Sequence, residues 1–471
     1  MRPNLHPYQC ATALAVLLSG CAVGPSYQRP ATVDVSAFKE AEGWVPAAPA
    51  DALERGPWWS LFNDPLLDQL AARVEVSNQN VAAAVAAYAQ ARALVREQRA
   101  GLFPVVTLDG GGTRSHSSSS SSGSGSGGRT GNSYQLSIGG NWEPDVWGRL
   151  GRAVEGAKAG AEASAADLAS ARLSAQGELA INYLSLRQTD AQKALLTTTI
   201  EGFQRSLEIT QNRYSAGIAA KTDVLQAQTQ LANAQADDAG LQRQRAQLEH
   251  AIAVLVGVAP GNFTLAPAAW SPVAPEVPVG VPSTLLQRRP DIAAAERRVA
   301  IANEQIGIAK SAYYPSLSLG ASSGFGASRV ADLFNASSSV WSLGLSAAQV
   351  LFNAGATGAR VEARQAAHAQ AVAQYRQTVL SAFQGVEDQL AATRVLQTQQ
   401  DLRRQASTAA DQVEQQVLNR YRSGQVSFTE VITAQATALN ARRALVQAMA
   451  DRQTTAVALI QSLGGGWQMG K

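Results

Sequence analysis

The side chains that could carry out chemistry are few and lie far apart in the sequence. The four histidines are His6, His116, His250 and His368. They are not paired with cysteine or aspartate at the spacing of a metal site, so we predict no bound metal. Gly123, Gly125 and Gly128 match the G-x-G-x-x-G pattern, but they lie in a Ser/Gly-rich stretch without a helix to bind phosphate. We therefore predict no catalytic residues, no cofactor and no enzyme activity.

Cys21 is the residue whose surroundings indicate a covalent modification. An apolar run from Ala11 to Leu18 follows Arg2 and leads into Leu-Ser-Gly-Cys at 18–21. The run is too short to cross a bilayer, but it fits the hydrophobic region of a signal peptide. Leu-Ser-Gly-Cys resembles the bacterial lipobox, which implies cleavage before Cys21 and its acylation. The alternative is that Cys21 is an incidental thiol after an ordinary signal peptide.

The remaining composition indicates where the chain acts. Ala22, rather than an aspartate, follows Cys21, and resemblance to lipoprotein sorting rules then favours the outer membrane. No other stretch of about 18 or more apolar residues occurs, so any part that crosses lipid must consist of β-strands. The net charge of +3 comes without a long basic run, so we expect no nucleic-acid partner.

The chain contains two copies of one unit, offset by 207 residues. The hexapeptide NRYSAG at 212–217 recurs as NRYRSG at 419–424, and TDVLQAQ at 222–228 recurs as TEVITAQ at 429–435. Phe103-Pro104 corresponds to Tyr314-Pro315 with a further shift of four, as expected if one loop is longer. An internal repeat determines the architecture before any single element is assigned.

Each copy contains segments of alternating residues, which predict strands. Apolar and polar residues alternate at 134–143 and 341–348, and shorter alternations follow the prolines at 106–109 and 316–319. This period of two predicts two strands per copy and four in the chain. The intervening stretches 110–133 and 322–339 are rich in serine, and the first is also rich in glycine. We predict that both are flexible hairpin loops.

The rest of each copy is predicted to be helical. Apolar residues at 224–255 follow the 3,4 spacing of a coiled coil, interrupted by Asp238 and Arg245. The segment from Gly148 to Gly217 lacks proline, and its roughly 70 residues would form a helix about 100 Å long. Further helices are predicted at about 219–258, 283–312 and 65–100, and the last helix ends near Leu463.

These patterns give a domain organisation. Prolines interrupt the stretch 263–282, so it is predicted to be an equatorial connector rather than a helix. In chain order we predict a lipoprotein signal peptide at 1–20, a lipid-anchored extended segment at 21–64, a first repeat at 65–262 with its tip near 217, the connector, a second repeat at 283–463 with its tip near 424, and a C-terminal tail at 464–471.

Four strands are too few to form a closed β-barrel in a membrane. Unpaired backbone groups in hydrocarbon are costly, so strands from other copies must complete the sheet. Two copies would form an eight-stranded barrel, whose interior is filled by side chains. Three copies would form a twelve-stranded barrel, which leaves a lumen. The polar faces would line that lumen, and Tyr134, Trp142 and Trp341 would face lipid. A filled soluble sandwich is the alternative.

Several motifs in order resemble those of a known family. They are CAVGPSY at 21–27, Trp58-Trp59 with Phe62, both Arg-Tyr-x-x-Gly turns, PSTLLQRRPDI at 282–292, AAERR at 294–298 and YYPS at 313–316. Together they cover essentially the whole chain. The chain resembles the outer-membrane factors of tripartite efflux pumps, the TolC and OprM-like, NodT-type lipoprotein group.

The resemblance implies a fold and partners. The fold is mainly α with a β-barrel part: a TolC-like homotrimer with a twelve-stranded outer-membrane barrel, continued by a long periplasmic barrel of coiled-coil hairpins. The partners are outer-membrane lipid, a periplasmic membrane-fusion adaptor and an inner-membrane RND-type pump. In the family the adaptor docks at the tip turns, which here are Arg213, Tyr214, Gly217, Arg420, Tyr421 and Gly424.

One departure from the family concerns the pore. Many relatives carry an acidic residue just after the second tip turn, but Gln-Val-Ser-Phe at 425–428 has none. We therefore predict a hydrophobic constriction formed by Val426 or Phe428, which would close by dewetting.

Three functions fit these features. The leading one is a passive outer-membrane conduit for drugs or other small toxic compounds, without chemistry of its own. A duct for type I protein secretion or polysaccharide secretion shares the same features. A structural coiled-coil lipoprotein is a third possibility, and it would not conduct ions.

Overall fold

In a computed structural model of the chain, the structure describes residues 23–31, 38–41, 57–117, 129–275, 277 and 289–465. The predicted signal peptide at 1–20, the acylation site Cys21 and tail residues 466–471 lie outside these ranges. The helices are α1 Pro65–Ser77, α2 Gln79–Ala100, α3 Arg149–Ser215, α4 Lys221–Leu255, α5 Pro290–Ser311, α6 Ala356–Arg422 and α7 Phe428–Ser462. The strands are β1 Val105–Ser117, β2 Arg129–Trp142, β3 Ser316–Ala327 and β4 Ser339–Ala348.

The predicted repeat is confirmed by the helix boundaries. Helices α3 and α6 each contain 67 residues, and α4 and α7 each contain 35. Each boundary of α6 and α7 lies 207 residues after its counterpart in α3 and α4. At 1.5 Å per residue α3 is about 100 Å long, as the proline-free segment predicted. In the described part of the chain, no helix combines the length and apolar character needed to span a bilayer.

The chain packs as two compact units, and each draws on both repeats. Its first unit comprises the described residues within Met1–Ala31, Tyr88–Ala163 and Ala295–Tyr375, and it contains the sheet. The second comprises the described residues within Thr32–Ala87, Ser164–Ala294 and Arg376–Lys471, and it contains both tip turns. In the second unit Leu196, Phe203, Ala234, Leu241 and Leu439 form a buried cluster. Ala234 and Leu241 belong to the predicted coiled-coil seam of α4, which is therefore confirmed as a packing surface.

The four strands form one antiparallel sheet in chain order, with β1 and β4 at its edges. The ladders place Leu108 opposite Ile138, Ile138 opposite Ser323, and Ser323 opposite Trp341. Because opposed residues share a face, one face carries most of the large apolar side chains. Its members are Val106, Leu108, Tyr134, Leu136, Ile138, Trp142, Leu317, Leu319, Phe325, Trp341, Leu343 and Leu345.

The opposite face of the sheet is polar. Thr107 lies opposite Gly139, Gly139 opposite Ser322, and Ser322 opposite Ser342. The hydroxyl groups of Ser322 and Ser342 are hydrogen-bonded at 2.8 Å. The alternation predicted from the sequence therefore persists through the ladders, with an apolar surface suited to lipid and a polar one suited to water.

The predicted hairpin loops were too long. Residues 110–117 and 129–133, assigned to the loop 110–133, are paired within β1 and β2, and residues 322–327 of the second loop belong to β3. Serine and glycine favour loops by their local preference, but pairing with a neighbouring strand overrides that preference here. The tip of the first hairpin, 118–128, lies outside the described residues.

The helix predicted at 65–100 is two helices, separated at the buried residue Asn78. The Asn78 carboxamide oxygen accepts from the backbone N–H groups of Asn80 and Val81, at 2.9 and 3.1 Å. Its amide nitrogen donates to the Leu255 carbonyl oxygen at 2.8 Å. Asn78 therefore caps the second helix and ties the break to the end of α4.

Of the helix predicted at about 283–312, the described residues contain α5, and residues 283–288 lie outside the described ranges. Arg289 is not helical, and α5 starts at Pro290. Proline is favoured at the first position of a helix, where it has no N–H to leave unpaired. Residues 263–275 of the predicted connector contain no helix or strand.

Candidate functional site

The two tip turns have the same backbone geometry. Gly217 and Gly424 adopt left-handed conformations, with φ values of +73° and +76°. In the first turn the Ile218 N–H donates to the Arg213 carbonyl oxygen at 2.8 Å, and in the second Gln425 donates to Arg420 at 2.9 Å. These bonds satisfy carbonyl groups at the helix ends, and glycine takes the left-handed position at little cost. This explains the recurrence of glycine in both motifs.

The side chains of the two turns are not equivalent. Tyr214 in the first turn is 46 % exposed, whereas its counterpart Tyr421 is 7 % exposed. The Arg213 guanidinium carbon lies 4.7 Å from the centre of the Tyr421 ring, and its Nη1 donates to the Tyr421 carbonyl oxygen at 3.1 Å. The first turn therefore binds the second through Arg213, and the structure brings the predicted tip residues together.

Phe428 lies inside this tip rather than on its surface. It is 3 % exposed and forms a buried cluster with Ala227, Tyr421 and Val431. Its ring centre is 5.5 Å from that of Tyr421. A side chain buried in its own chain does not project into a lumen, so the expectation that Phe428 lines a constriction is corrected. Val426 is only partly buried against the same cluster.

A carboxylate close to the second turn has a local role. Glu430 and Ser427 form a capping box at the start of α7. The Ser427 hydroxyl accepts from the Glu430 N–H at 3.4 Å, and the Glu430 carboxylate accepts from the Ser427 N–H at 3.5 Å. Glu430 therefore fixes the start of the helix that carries Phe428.

A buried ion network attaches the connector to α3 and α4. The Asp190 carboxylate pairs with Arg187 at 3.0 Å and with Arg245 at 2.7 Å. Arg187 also donates to the Ala266 carbonyl oxygen at 3.0 Å. Arg245 donates to the carbonyl oxygen of Leu265. This network was not predicted from the sequence, although the interruption of the apolar seam by Arg245 was its signal.

Tyr183 extends the network to the start of α1. Its hydroxyl donates to the Asp64 carboxylate at 2.6 Å, and Asp64 caps α1 by accepting from the N–H groups of Leu66 and Leu67. Arg187 Nε donates to the Tyr183 oxygen at 3.2 Å. Burial, together with the hydrogen bond to Asp64, raises the pKa of Tyr183 from 10.0 to about 12.

This shift predicts a loss of stability at alkaline pH. Between pH 10 and about 12 the folded chain keeps the Tyr183 proton, whereas the unfolded chain loses it. The pKa shift of Tyr183 therefore contributes fully to the free energy of unfolding below pH 10. This contribution disappears by about pH 12, a loss of roughly 2–3 kcal/mol. We expect thermal unfolding of Tyr183→Phe to lose this part of the pH dependence. If the unfolding temperatures of the variant and of wild type fell equally steeply between pH 10 and about 12, the raised pKa of Tyr183 would be contradicted.

The segment at 23–31 binds the junction between β2 and α3 and the helix α5. The Val23 N–H donates to the Trp147 carbonyl oxygen at 3.1 Å, between β2 and α3. Further along, the Tyr27 hydroxyl donates to Glu296 at 3.1 Å, and Arg29 lies 3.6 Å from the same carboxylate. Burial, followed by the charge of Glu296, raises the pKa of Tyr27 well above its usual range. These contacts fix the chain two residues after Cys21.

A two-faced sheet joined to helices about 100 Å long defines a class of protein, the outer-membrane channels with a periplasmic helical part. The model of the outer membrane efflux protein family matches residues 70–258 and 281–465. The chain belongs to the outer membrane efflux protein family. It is accordingly an efflux duct of the outer membrane that extends into the periplasm, forms a trimer and works with a pump.

Similar proteins match along almost their full length. The toluene efflux pump outer membrane protein TtgC of Pseudomonas putida is 31 % identical over 96 % of this chain and 94 % of its own. The cation efflux system protein CusC of Escherichia coli is 27 % identical over 97 % and 98 %. The solved structure of the outer-membrane channel OprN has a TM-score of 0.88 and 31 % identity, covering 95 % of this chain and all of that chain.

Proposed function

We propose that the chain is the outer-membrane channel of a tripartite RND-type efflux pump, through which drugs or other small toxic compounds pass without chemical change. The observation that carries this proposal is the sheet with one apolar and one polar face. A polar inner surface suits the passage of solutes through water. The names of the relatives TtgC and CusC refer to toluene and to cations, which supports a conduit whose cargo is selected by its pump.

Bilayer recording and export together test the proposed function. The purified full chain in a planar bilayer is expected to produce discrete conductance steps, and a deletion strain is expected to regain drug export when the chain is restored. No conductance would support the structural coiled-coil lipoprotein instead. Conductance without drug export, together with co-purification of a type I or polysaccharide secretion adaptor, would support the secretion duct.

We propose further that the organisation predicted from the sequence serves this conduit. Cys21 anchors the extended segment 21–64 in lipid. The repeats 65–262 and 283–463 supply strands and helical hairpins, and 263–282 forms an equatorial connector. The hydrogen bonds from Arg245 and Arg187 that hold the Leu265 and Ala266 carbonyl groups against α4 and α3 support the connector.

We propose that a periplasmic membrane-fusion adaptor docks on the tip turns. Tyr214, Gly217, Arg420 and Gly424 are exposed there, whereas Arg213 and Tyr421 hold the turns together. Docking residues need access to the partner, so Tyr214 and Arg420 are the contacts and Arg213 and Tyr421 position them. Glycine at both turns keeps the backbone shape that the adaptor recognises.

The exposed tip residues are expected to be needed for docking but not for assembly. Tyr214→Ala combined with Arg420→Ala is expected to reduce adaptor co-purification about tenfold or more, as loss of interface anchors does. The measurement is co-purification after cross-linking, with trimer content followed in the same sample. Arg403→Ala is the matched control, since this exposed arginine lies on α6 about 25 Å from Arg420. Undiminished capture by the double variant would exclude docking at these turns.

Val426 is the proposed hydrophobic constriction. It lies two residues after Gly424 and is only partly buried. Shortening an apolar side chain at a dewetted constriction widens it and eases wetting. We expect Val426→Ala trimers to show a higher single-channel conductance than wild type. Unchanged conductance would place the constriction elsewhere.

A further inference from the structure

The edges of the sheet raise the question of which residues meet between neighbouring copies. Strands β1 and β4 are the edge strands, and in lipid their outer margins must pair with another copy. In the trimer, β4 of one protomer therefore lies beside β1 of its partner. The register of this pair decides which side chains share a face, and the internal repeat allows it to be derived.

The two hairpins correspond residue by residue. The ladder of β1 and β2 begins with Val105 opposite Asn141, and that of β3 and β4 begins with Ser316 opposite Ala348. Val105 and Ser316 are 211 residues apart, and Asn141 and Ala348 are 207 apart. These are the same two offsets that relate the copies in the sequence. Position 105 is therefore equivalent to 316, and position 141 to 348.

The ladder between β2 and β3 then serves as the template for the contact between copies. It places Gln135 opposite Gly326 and Gly139 opposite Ser322. Adding 207 to the β2 positions gives Ser342 and Ser346 in β4. Subtracting 211 from the β3 positions gives 115 and 111 in β1. We propose that, in the trimer, Ser342 and Ser346 of one protomer pair with Ser115 and Gly111 of the partner subunit, respectively.

The faces of the strands agree with this register. It places Leu343 and Leu345 opposite Arg114 and Gly112 of the partner subunit, all on the face that carries Leu108 and Trp341. A slip by one residue would turn the apolar side chains of β4 to the polar face. The faces thus exclude every register that is shifted by an odd number of residues. Among the registers shifted by an even number, the internal repeat selects the one given above.

A second contact follows from the same equivalence. Within one chain, the segment after β2 packs on the turn before β3: the rings of Trp147 and Tyr314 stack at 4.8 Å, and the Trp147 indole N–H donates to the Pro315 carbonyl oxygen. The equivalent segment after β4 has Ala354 at the position of Trp147, and its large apolar side chains are Leu351 and Phe352, which are 90 % and 87 % exposed.

The turn equivalent to Tyr314-Pro315 lies before β1, and its Phe103 is 63 % exposed. Phe103 lies where α2 leads into β1, and Leu351 and Phe352 lie where β4 leads into α6. Pairing of β4 with β1 of the neighbouring protomer therefore brings these side chains together. Leu351 and Phe352 therefore cover Phe103 of the partner subunit. Since these side chains are exposed in their own chain, they stabilise the trimer rather than the protomer.

Paired cysteines test the register, which rests on the trimer of the proposed function. Two double variants of the full chain are in register: Ser342→Cys with Ser115→Cys, and Ser346→Cys with Gly111→Cys. Two further double variants combine each β4 cysteine with the other β1 position, so that the cysteines are four residues out of register. They are Ser342→Cys with Gly111→Cys, and Ser346→Cys with Ser115→Cys. All four pairs use the same four positions, so each substitution serves as its own control.

Oxidation is expected to cross-link only the pairs in register. Four residues of strand amount to about 14 Å, well beyond the roughly 7 Å between Cα atoms that a disulfide bridges. The expected result is at least about tenfold more covalent oligomer in denaturing gels for the pairs in register. Cross-linking in the exchanged pairs, or in none while the wild-type chain still forms conducting trimers, would overturn the register and leave the proposed function intact. A wild-type chain that neither trimerises nor conducts would overturn both.

Truncation tests the second contact. Leu351→Ala with Phe352→Ala is expected to lower the temperature at which the trimer dissociates, without changing the helical content of the protomer. Val330→Ala is the control, because Val330 is a similarly exposed apolar residue of the same unit. An unchanged dissociation temperature, or a fall equal to that of the control, would show that Leu351 and Phe352 face lipid or solvent and would overturn this contact.

Discussion

Asp190→Ala is expected to destabilise the chain by about 3–5 kcal/mol, because it leaves two buried arginines without their shared partner. Asp190 lies between Arg187 and Arg245, and all three side chains are largely shielded from water. Removing one member of a buried ion network costs more than the network contributes, since the remaining charges stay desolvated. The measurement is the midpoint of chemical unfolding of the full chain, followed by helical circular dichroism.

Two further variants give this prediction its control. Asp237→Ala removes a carboxylate that pairs with Arg443 at 2.7 Å between partly exposed side chains, and its cost is expected to stay below about 1 kcal/mol. Replacing Arg187, Asp190, Arg245 and Glu249 together by Met, Leu, Met and Gln is expected to cost less than Asp190→Ala alone, since none of the four charges of the network remains. Equal effects of Asp190→Ala and Asp237→Ala would show that water screens the network.

The network also positions the connector, so the variant has a functional consequence. Arg187 and Arg245 donate to the carbonyl groups of Ala266 and Leu265. Glu249 accepts from the Leu265 N–H, so three side chains bind one short stretch of backbone. A proline-rich segment has few backbone hydrogen bonds of its own, and these side chains supply them. Release of this stretch should be visible as faster amide exchange at Leu265.

Much of the fold could be predicted from the sequence, because the repeat and the periodicities are local signals. The equivalence of 212–217 with 419–424 required no structure, and the offset it defines reappears at the boundaries of α3 and α6. The alternation at 134–143 and 341–348 likewise corresponds to the faces of β2 and β4. Such patterns persist because each face of an element meets a single environment along its length.

The errors arose where a distant partner decides the local structure. The end of α1 depends on Asn78, whose amide binds a carbonyl group 177 residues away. The extension of β1 to residue 117 depends on pairing with β2, which overrides a Ser/Gly composition typical of loops. Neither partner is visible in the local sequence.

The candidate site shows the same limit. The motifs identified both turns, but they did not reveal that Arg213 of the first covers Tyr421 of the second. Phe428 is predicted at the pore because no acidic residue follows the second tip turn at 425–428. Its burial depends on Tyr421, Val431 and Ala227, and the last of these belongs to the other repeat.

Phe428→Ala is expected to loosen the tip, because it removes the ring that fills the space between Tyr421 and Val431. Truncation of a buried phenylalanine costs about 3–5 kcal/mol, and here the cost falls on a short region at the ends of α6 and α7. The expected result is loss of amide exchange protection at Val431 and in the last turn of α6. Local opening of this kind is measured by hydrogen exchange of the assembled trimer.

Phe428→Leu separates packing from pore lining. Leucine retains much of the buried volume, so its cost is expected to stay below about 1.5 kcal/mol and the exchange protection to be largely restored. The Tyr421 ring then keeps its support, and Arg213 keeps its position over that ring at the junction of the two turns. If Phe428→Ala instead raised conductance while exchange at Val431 stayed unchanged, Phe428 would line the pore. A residue that packs the tip can widen the pore only by loosening that packing, and the loosening would appear as faster exchange at Val431. Higher conductance with unchanged exchange would therefore mean that the Phe428 side chain is not buried in the trimer.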